Sequence, residues 1–187
     1  SKKILPNTTK SSANSPCFIE PDGLYSTFGG NDDSSLGSIS LGFNFDLYGT
    51  TYNQIYINNN GNITFTSGTY QYTASGFPFS NAMVAPFWAD VDTRSGNTVK
   101  YKSNPTNFIV TWEDVGYYNT QTDKLNTFQL IITNGTDPII GYGYNVAFFY
   151  GEMEWTTGSA SQGVNGFLGS PATVGINKGD NVNYVQI

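Results

Sequence analysis

From Ile39 to Leu47 every second residue is a large apolar side chain (Ile39, Leu41, Phe43, Phe45, Leu47) and those between are small or polar. A period of two is the signature of a half-buried strand, because successive side chains of extended backbone point to opposite faces. The period returns at Val99 and Tyr101, at Phe108, Val110 and Trp112, and at Phe128, Leu130 and Ile132. Asn60-Gly61 lies between Ile55/Ile57 and Ile63/Phe65, and Asn-Gly readily supplies the positive φ angles of a tight hairpin. Such runs recur at roughly 8 to 14 residues with turn signals between them and no amphipathic helix of any length. The pattern predicts an all-β, antiparallel β-sandwich, jelly-roll-like, with few or no helices; it does not choose among sandwich topologies.

The remaining segments fit that class. Ser67 to Phe79 reads as an aromatic loop leaning on the core, Asn119 to Lys124 as a polar loop, and Ile139 to Tyr150 as a strand interrupted at Gly141 and Gly143. Met153 and Trp155 alternate with Glu152 and Glu154, which read as a solvated face, and short apolar runs close the chain at Val174–Asn177 and Tyr184–Ile187. Residues 1–16, polar and with Pro6 and Pro16, read as a flexible linker or tail, and residues 17–187 as one domain. A chain of 187 residues can bury roughly 70% of the surface exposed when unfolded, enough for a substantial single core. Neither a signal peptide nor a run of about 18 apolar residues is present, and with Ser1 in place of methionine a targeting segment is expected to have been removed or left out.

Charged residues are 12% of the chain, half the usual share of about 25%. Asn, Ser, Thr, Gly and Tyr replace them, which suits an all-β protein displayed outside the cell. With a net charge of −6 and no basic cluster beyond Lys2-Lys3 and the pair Lys100 and Lys102, nucleic acid and anionic membranes are excluded as expected partners. The absence of histidine excludes a Ser-His-Asp or Cys-His arrangement and His-ligated zinc within the chain. Cys17, the single cysteine, cannot form an internal disulfide and reads as a free thiol without a role.

The chain's most apolar run passes directly into an acidic pair at Met83–Arg94. In extended backbone Phe87, Ala89 and Val91 face the core, while Trp88, Asp90, Asp92 and Arg94 share the other face. Asp90 and Asp92 then lie roughly 7 Å apart and need a counter-charge. The leading reading is a structural network satisfied by Arg94 and the hydroxyl of Thr93. A second makes the pair calcium ligands, and a third makes it the acid and base of a glycosidase. Gly29-Gly30-Asn31-Asp32-Asp33-Ser34 is dense in oxygen donors and can bind calcium, although a solvated loop is the simpler account. Glu113 and Asp114 precede Gly116-Tyr117-Tyr118. Together with the exposed-looking Tyr117 and Tyr118 they mark a candidate rim for a protein or glycan partner, and Tyr70, Tyr72, Tyr142 and Tyr144 offer similar stacking surface. Sequons at Asn7, Asn62 and Asn134 matter only in a eukaryotic secretory pathway.

Several of these segments, in order, resemble the nidogen-like (NIDO) domain of extracellular adhesive and matrix-associated proteins and of many bacterial surface proteins. They are Tyr52–Phe65 with its Asn58-Asn59-Asn60-Gly61 turn, Val84–Thr93, Thr111–Tyr118, Asn126–Leu130 and Trp155–Gly158. The resemblance covers the chain from about Ser34 onward. It implies an extracellular or cell-surface, non-enzymatic interaction or adhesion module that requires no cofactor and sits beside further domains in a longer chain. The lone cysteine and Asn/Thr-rich surface point to a bacterial adhesin or comparable surface protein. A calcium-dependent lectin-like domain is the alternative.

Overall fold

A computed structural model describes residues 18–187; the expected tail at residues 1–16 and Cys17 lie outside the described residues. Twelve strands follow in chain order: β1 (Ser26–Phe28), β2 (Ser35–Leu47), β3 (Thr50–Asn58), β4 (Asn62–Thr64), β5 (Met83–Trp88), β6 (Val91–Gly96), β7 (Val99–Ser103), β8 (Asn107–Tyr117), β9 (Gln121–Thr133), β10 (Val146–Met153), β11 (Thr173–Asn177) and β12 (Tyr184–Gln186). One sheet has the order β1-β7-β8-β9-β10 with β6 also on β8, and the other the order β12-β11-β5-β4-β3-β2. Every ladder is antiparallel. Among the described residues the helical content is one 3₁₀ turn, Ser159–Ser161, and no helix is long and apolar enough to cross a membrane. The all-β, two-sheet antiparallel architecture expected from the sequence is the one observed.

Period-two patterning shows in β2, where Leu41, Phe43, Phe45 and Leu47 are buried and the residues between them exposed. Their inner faces meet β8 and β9 across one aromatic core. There Trp112 stacks on Phe128 at 5.0 Å, Phe87 meets Phe128 at 5.2 Å and Trp155 edge-on at 5.3 Å, and Trp155 meets Tyr117 at 5.4 Å. Each fully buried aromatic of this kind contributes about 1.5–3 kcal/mol by leaving water.

β5 is buried along its whole length, because both of its faces are covered. Val84 and Phe87 enter the main core, while Met83, Ala85 and Trp88 pack with Ala74 and Phe77 in a second cluster on the outer face. The Ser67–Phe79 segment is therefore a cover for that outer face, and its Gln71 carbonyl accepts the Trp88 indole N–H at 2.9 Å. Pro86, which has no N–H to donate, sits where the β5–β11 ladder slips by one residue between Thr173 and Gly175.

Three segments differ from expectation. Ile139–Asn145 is turn and coil, with Gly141 and Gly143 at φ of 95° and 84°, so β10 starts only at Val146. β9 begins at Gln121, inside the stretch expected as polar loop, because polar exposed residues continue the β8–β9 hairpin. Most consequential, Met83–Arg94 is not one strand: β5 belongs to one sheet and β6 to the other. The chain crosses the sandwich at Ala89-Asp90, and the alternation assumed for continuous strand fails there.

Candidate functional site

The crossing at Ala89-Asp90 is held by the turn between β3 and β4. Asn60 donates nothing to its own hairpin ladder; its carbonyl accepts from Ala89 N–H at 3.1 Å, its side-chain oxygen accepts from Val91 N–H at 3.0 Å, and its amide donates to Asp33 Oδ1 at 2.9 Å. Buried Asn59 donates to the carbonyls of Val91 at 2.7 Å and of Asp32, and accepts from Thr93 Oγ1 at 2.8 Å. Thr93 also exchanges backbone and hydroxyl bonds with Asn31 at 2.8 and 2.9 Å. Two turn amides thus bring the Gly29–Ser34 loop onto the β5–β6 corner, as short polar side chains do when they replace missing ladder partners.

That junction gathers carboxylates the sequence places far apart. Asp32, Asp33 and Asp90 each offer an oxygen within 4.8 Å of the other two. They line a cavity of about 180 Å³ with Tyr72, Tyr118 and Ala160. Asp90 is 2% exposed, and its Oδ2 has no hydrogen-bond partner among the described residues. Burial, followed by the charges of Asp33 and Asp32, pushes its carboxyl up to about 7, against a hydrogen bond from the Ala160 N–H. Burial first, then Asp33 and Asp92, raises Asp32 to about 6, although Arg94 pulls the other way. Gly158 packs against Asp90 so closely that any side chain there would overlap the carboxylate.

Asp92 turns away from this group. It is fully buried, and Arg94 grips it from Nε at 2.9 Å to Oδ1 and from Nη2 to Oδ2, with Thr120 N–H adding a bond at 2.8 Å. Burial would raise its carboxyl, but these donors outweigh it and hold it below the usual carboxylate range. Arg94 also reaches Asp32 Oδ2 at 3.2 Å and lies 5.7 Å from the Tyr118 ring centre. Asp90 and Asp92 therefore do not share a face: the sheet crossing between them sends one to the acidic cavity and the other to Arg94.

The expected partner rim divides in the same way. Tyr117 is 3% exposed, which corrects its exposed reading; the inner face of β8 carries it onto Trp155, and its hydroxyl donates to Asp123 at 2.8 Å. Tyr118, half-buried, lines the acidic cavity. Glu113 and Asp114 lie elsewhere, in a groove of about 410 Å³ shared with Phe18, Glu20, Tyr150 and Glu152. Glu113 pairs with Lys100 there, and Asp114 accepts from Thr127 at 2.9 Å. Tyr70, Tyr72, Tyr142 and Tyr144 are exposed as expected, whereas Asn62 of the second sequon is buried and bonded to Asn58 and Asn60. Asn59 and Asn60 were legible only as turn residues; nothing in their spacing announces that they join Asp33 to Asp90.

A profile of the family described as NIDO related matches residues 10–187. Human alpha-tectorin is 32% identical over 83% of this chain, which is 8% of its own length. The nidogen of Drosophila melanogaster is 30% identical over 70% of the chain and 12% of its own length. Dendrite extension defective protein 1 of Caenorhabditis elegans is 25% identical over all of the chain and 18% of its own length. The chain thus spans only a small part of the curated relatives it matches, and no solved structure matches it significantly. Alpha-tectorin and nidogen are extracellular matrix proteins, and the setting of this chain is extracellular. With a profile match over nearly its full length and alpha-tectorin above 30% identity across most of it, the chain belongs to the NIDO-related family.

Proposed function

We propose that this chain is a non-enzymatic interaction module of a larger adhesive, matrix-type protein, and that it docks a protein partner through a cationic segment. The observation that carries this reading is the groove on the β8–β10 face. Phe18 and Tyr150 give it apolar surface, and Glu20, Glu113, Asp114 and Glu152 crowd its rim. Lys100, paired with Glu113, is the cation ion-paired to that rim among the described residues, so a lysine- or arginine-bearing partner is favoured electrostatically. A role without turnover is supported by the fate of the two aspartates that a hydrolase would need. Asp92 is committed to Arg94 and Thr120 and does not line the cavity that Asp90 does.

The test is surface plasmon resonance against immobilised matrix proteins at two salt concentrations. Binding is expected to fall with salt and to weaken roughly tenfold in Glu113→Gln/Glu152→Gln, as loss of about 1.4 kcal/mol requires. Equal binding by wild type and variant would sink the groove assignment. A second reading, a calcium-dependent lectin-like domain, is favoured by Tyr72 and Tyr118 beside the carboxylates of the smaller cavity. A glycan array read with and without chelator decides it.

A further inference from the structure

Three carboxylates that converge on one cavity leave a charge problem which the other described residues do not solve. Asp32, Asp33, Asp90 and the neighbouring Asp92 share one guanidinium, that of Arg94, which is engaged with Asp92 and Asp32. Asp90 is buried and lines the cavity, and among the described residues its Oδ2 has no donor. Asp32 Oδ1 is likewise buried and, among the described residues, unpartnered. Leaving a buried charged acceptor unsatisfied is among the costlier defects a fold can carry. We propose that Asp32, Asp33 and Asp90 bind a hard divalent cation, Ca²⁺, which ties the Gly29–Ser34 loop to the β5–β6 corner.

The donor set specifies the class of ion. All three side chains present oxygen, and the chain has no histidine and a single cysteine, so calcium and its hard relatives fit where zinc or copper does not. Two of the carboxylates are also steadied by a protein donor: Asp32 Oδ2 by Arg94 at 3.2 Å and Asp33 Oδ1 by Asn60 at 2.9 Å. One end of Asp32 and of Asp33 is thus anchored before the ion arrives. The ligands themselves come from irregular backbone, Asp32 and Asp33 from the loop before β2 and Asp90 from the crossing between β5 and β6. Calcium tolerates such a set better than magnesium, which demands near-octahedral geometry. Coordination positions beyond the three carboxylates would fall to water or to oxygens of a docked partner. The site does not depend on which partner docks.

Calorimetric titration of the chelator-treated chain with CaCl₂, paired with thermal melts, tests the proposal. One equivalent is expected to bind with Kd in the range of roughly 10⁻⁴ to 10⁻³ M typical of extracellular modules. Saturating calcium is expected to raise Tm by roughly 5 °C. Asp33→Asn, at a partly exposed loop position, keeps the fold and weakens binding about tenfold or more, and Asp90→Asn abolishes it. Asp114→Asn, in the separate groove, binds as wild type does. The proposal is overturned by the absence of saturable heat and melting shift in wild type, by binding of Mg²⁺ but not Ca²⁺, or by undiminished binding in Asp33→Asn. Should Asp90→Asn fail to fold, Asp33→Asn decides alone.

Discussion

Asn59 shows how one buried amide can organise a surface. It reaches the Asp32 loop, the Val91 carbonyl and the Thr93 hydroxyl at once, while its own carbonyl accepts the Trp112 indole N–H at 3.0 Å. Asn59→Ala leaves buried acceptors without a donor and is expected to cost about 2–3 kcal/mol in urea unfolding. Asn59→Asp, which replaces the donors by further negative charge beside Asp32, is expected to cost more. A loss below about 0.5 kcal/mol in the alanine variant, the scale of an ordinary surface substitution, would show that the loop is held by something else. None of this connectivity was legible from residue types. The sequence picked out Asp90 as chemically unusual and the Gly29–Ser34 loop as an oxygen-rich segment, yet it offered no reason to join them. Contacts across so much chain are set by how the sheets stack, and local patterning is silent about that. The same blindness misplaced Tyr117, since a tyrosine after a glycine at a strand end looks identical whether it turns outward or inward onto Trp155.

Among the elements, Asn60-Gly61 lies in a hairpin connection between β3 and β4 as its sequence predicts, but with a different backbone. The connection from Asn58 to Asn62 holds three residues, and of Asn60 and Gly61 only Gly61 adopts positive φ, at 76°. Gly61 also lies against the main chain of β5, where a methyl group would overlap the Phe87 carbonyl oxygen. Gly135, at φ 82°, has nothing within 4 Å of the corresponding position. The two glycines separate backbone strain from close approach. Gly135→Ala is expected to cost about 1–2 kcal/mol, the penalty of a left-handed residue with a Cβ, and Gly61→Ala on the order of 3 kcal/mol or more. Equal losses in chemical denaturation would mean that β5 yields freely to the turn. A strand with strict alternation, β2, is legible because one of its faces is wet. β5 hid its sheet change because apolar burial on both sides erases the period that would have revealed where it ends.

For the molecule as a whole, the question is whether two sheets and an outer cover behave as one unit. Trp155 belongs to no strand, yet its ring meets Phe87 from one sheet and Tyr117 from the other. Its indole N–H donates to the Val115 carbonyl at 3.1 Å, and Asn126 bonds both its N–H and its carbonyl. The residue closes one end of the sandwich and places Thr157 and Gly158, hence the wall behind Asp90, in register with the core. Trp155→Ala removes a fully buried ring and is expected to destabilise the domain by about 3–5 kcal/mol. Trp88 reports on the cover, since it lies in the separate cluster beneath Ser67–Phe79, and Trp112 reports on the main core. β5 carries Trp88 on one face and Phe87 on the other, so the outer cluster cannot lose its floor while the main core stands. Fluorescence and far-UV circular dichroism of the Trp155→Ala variant are therefore expected to trace one coincident transition, shifted to lower denaturant. An earlier fluorescence transition, with strand content intact, would establish that the cover opens by itself and that β5 does not couple the two clusters.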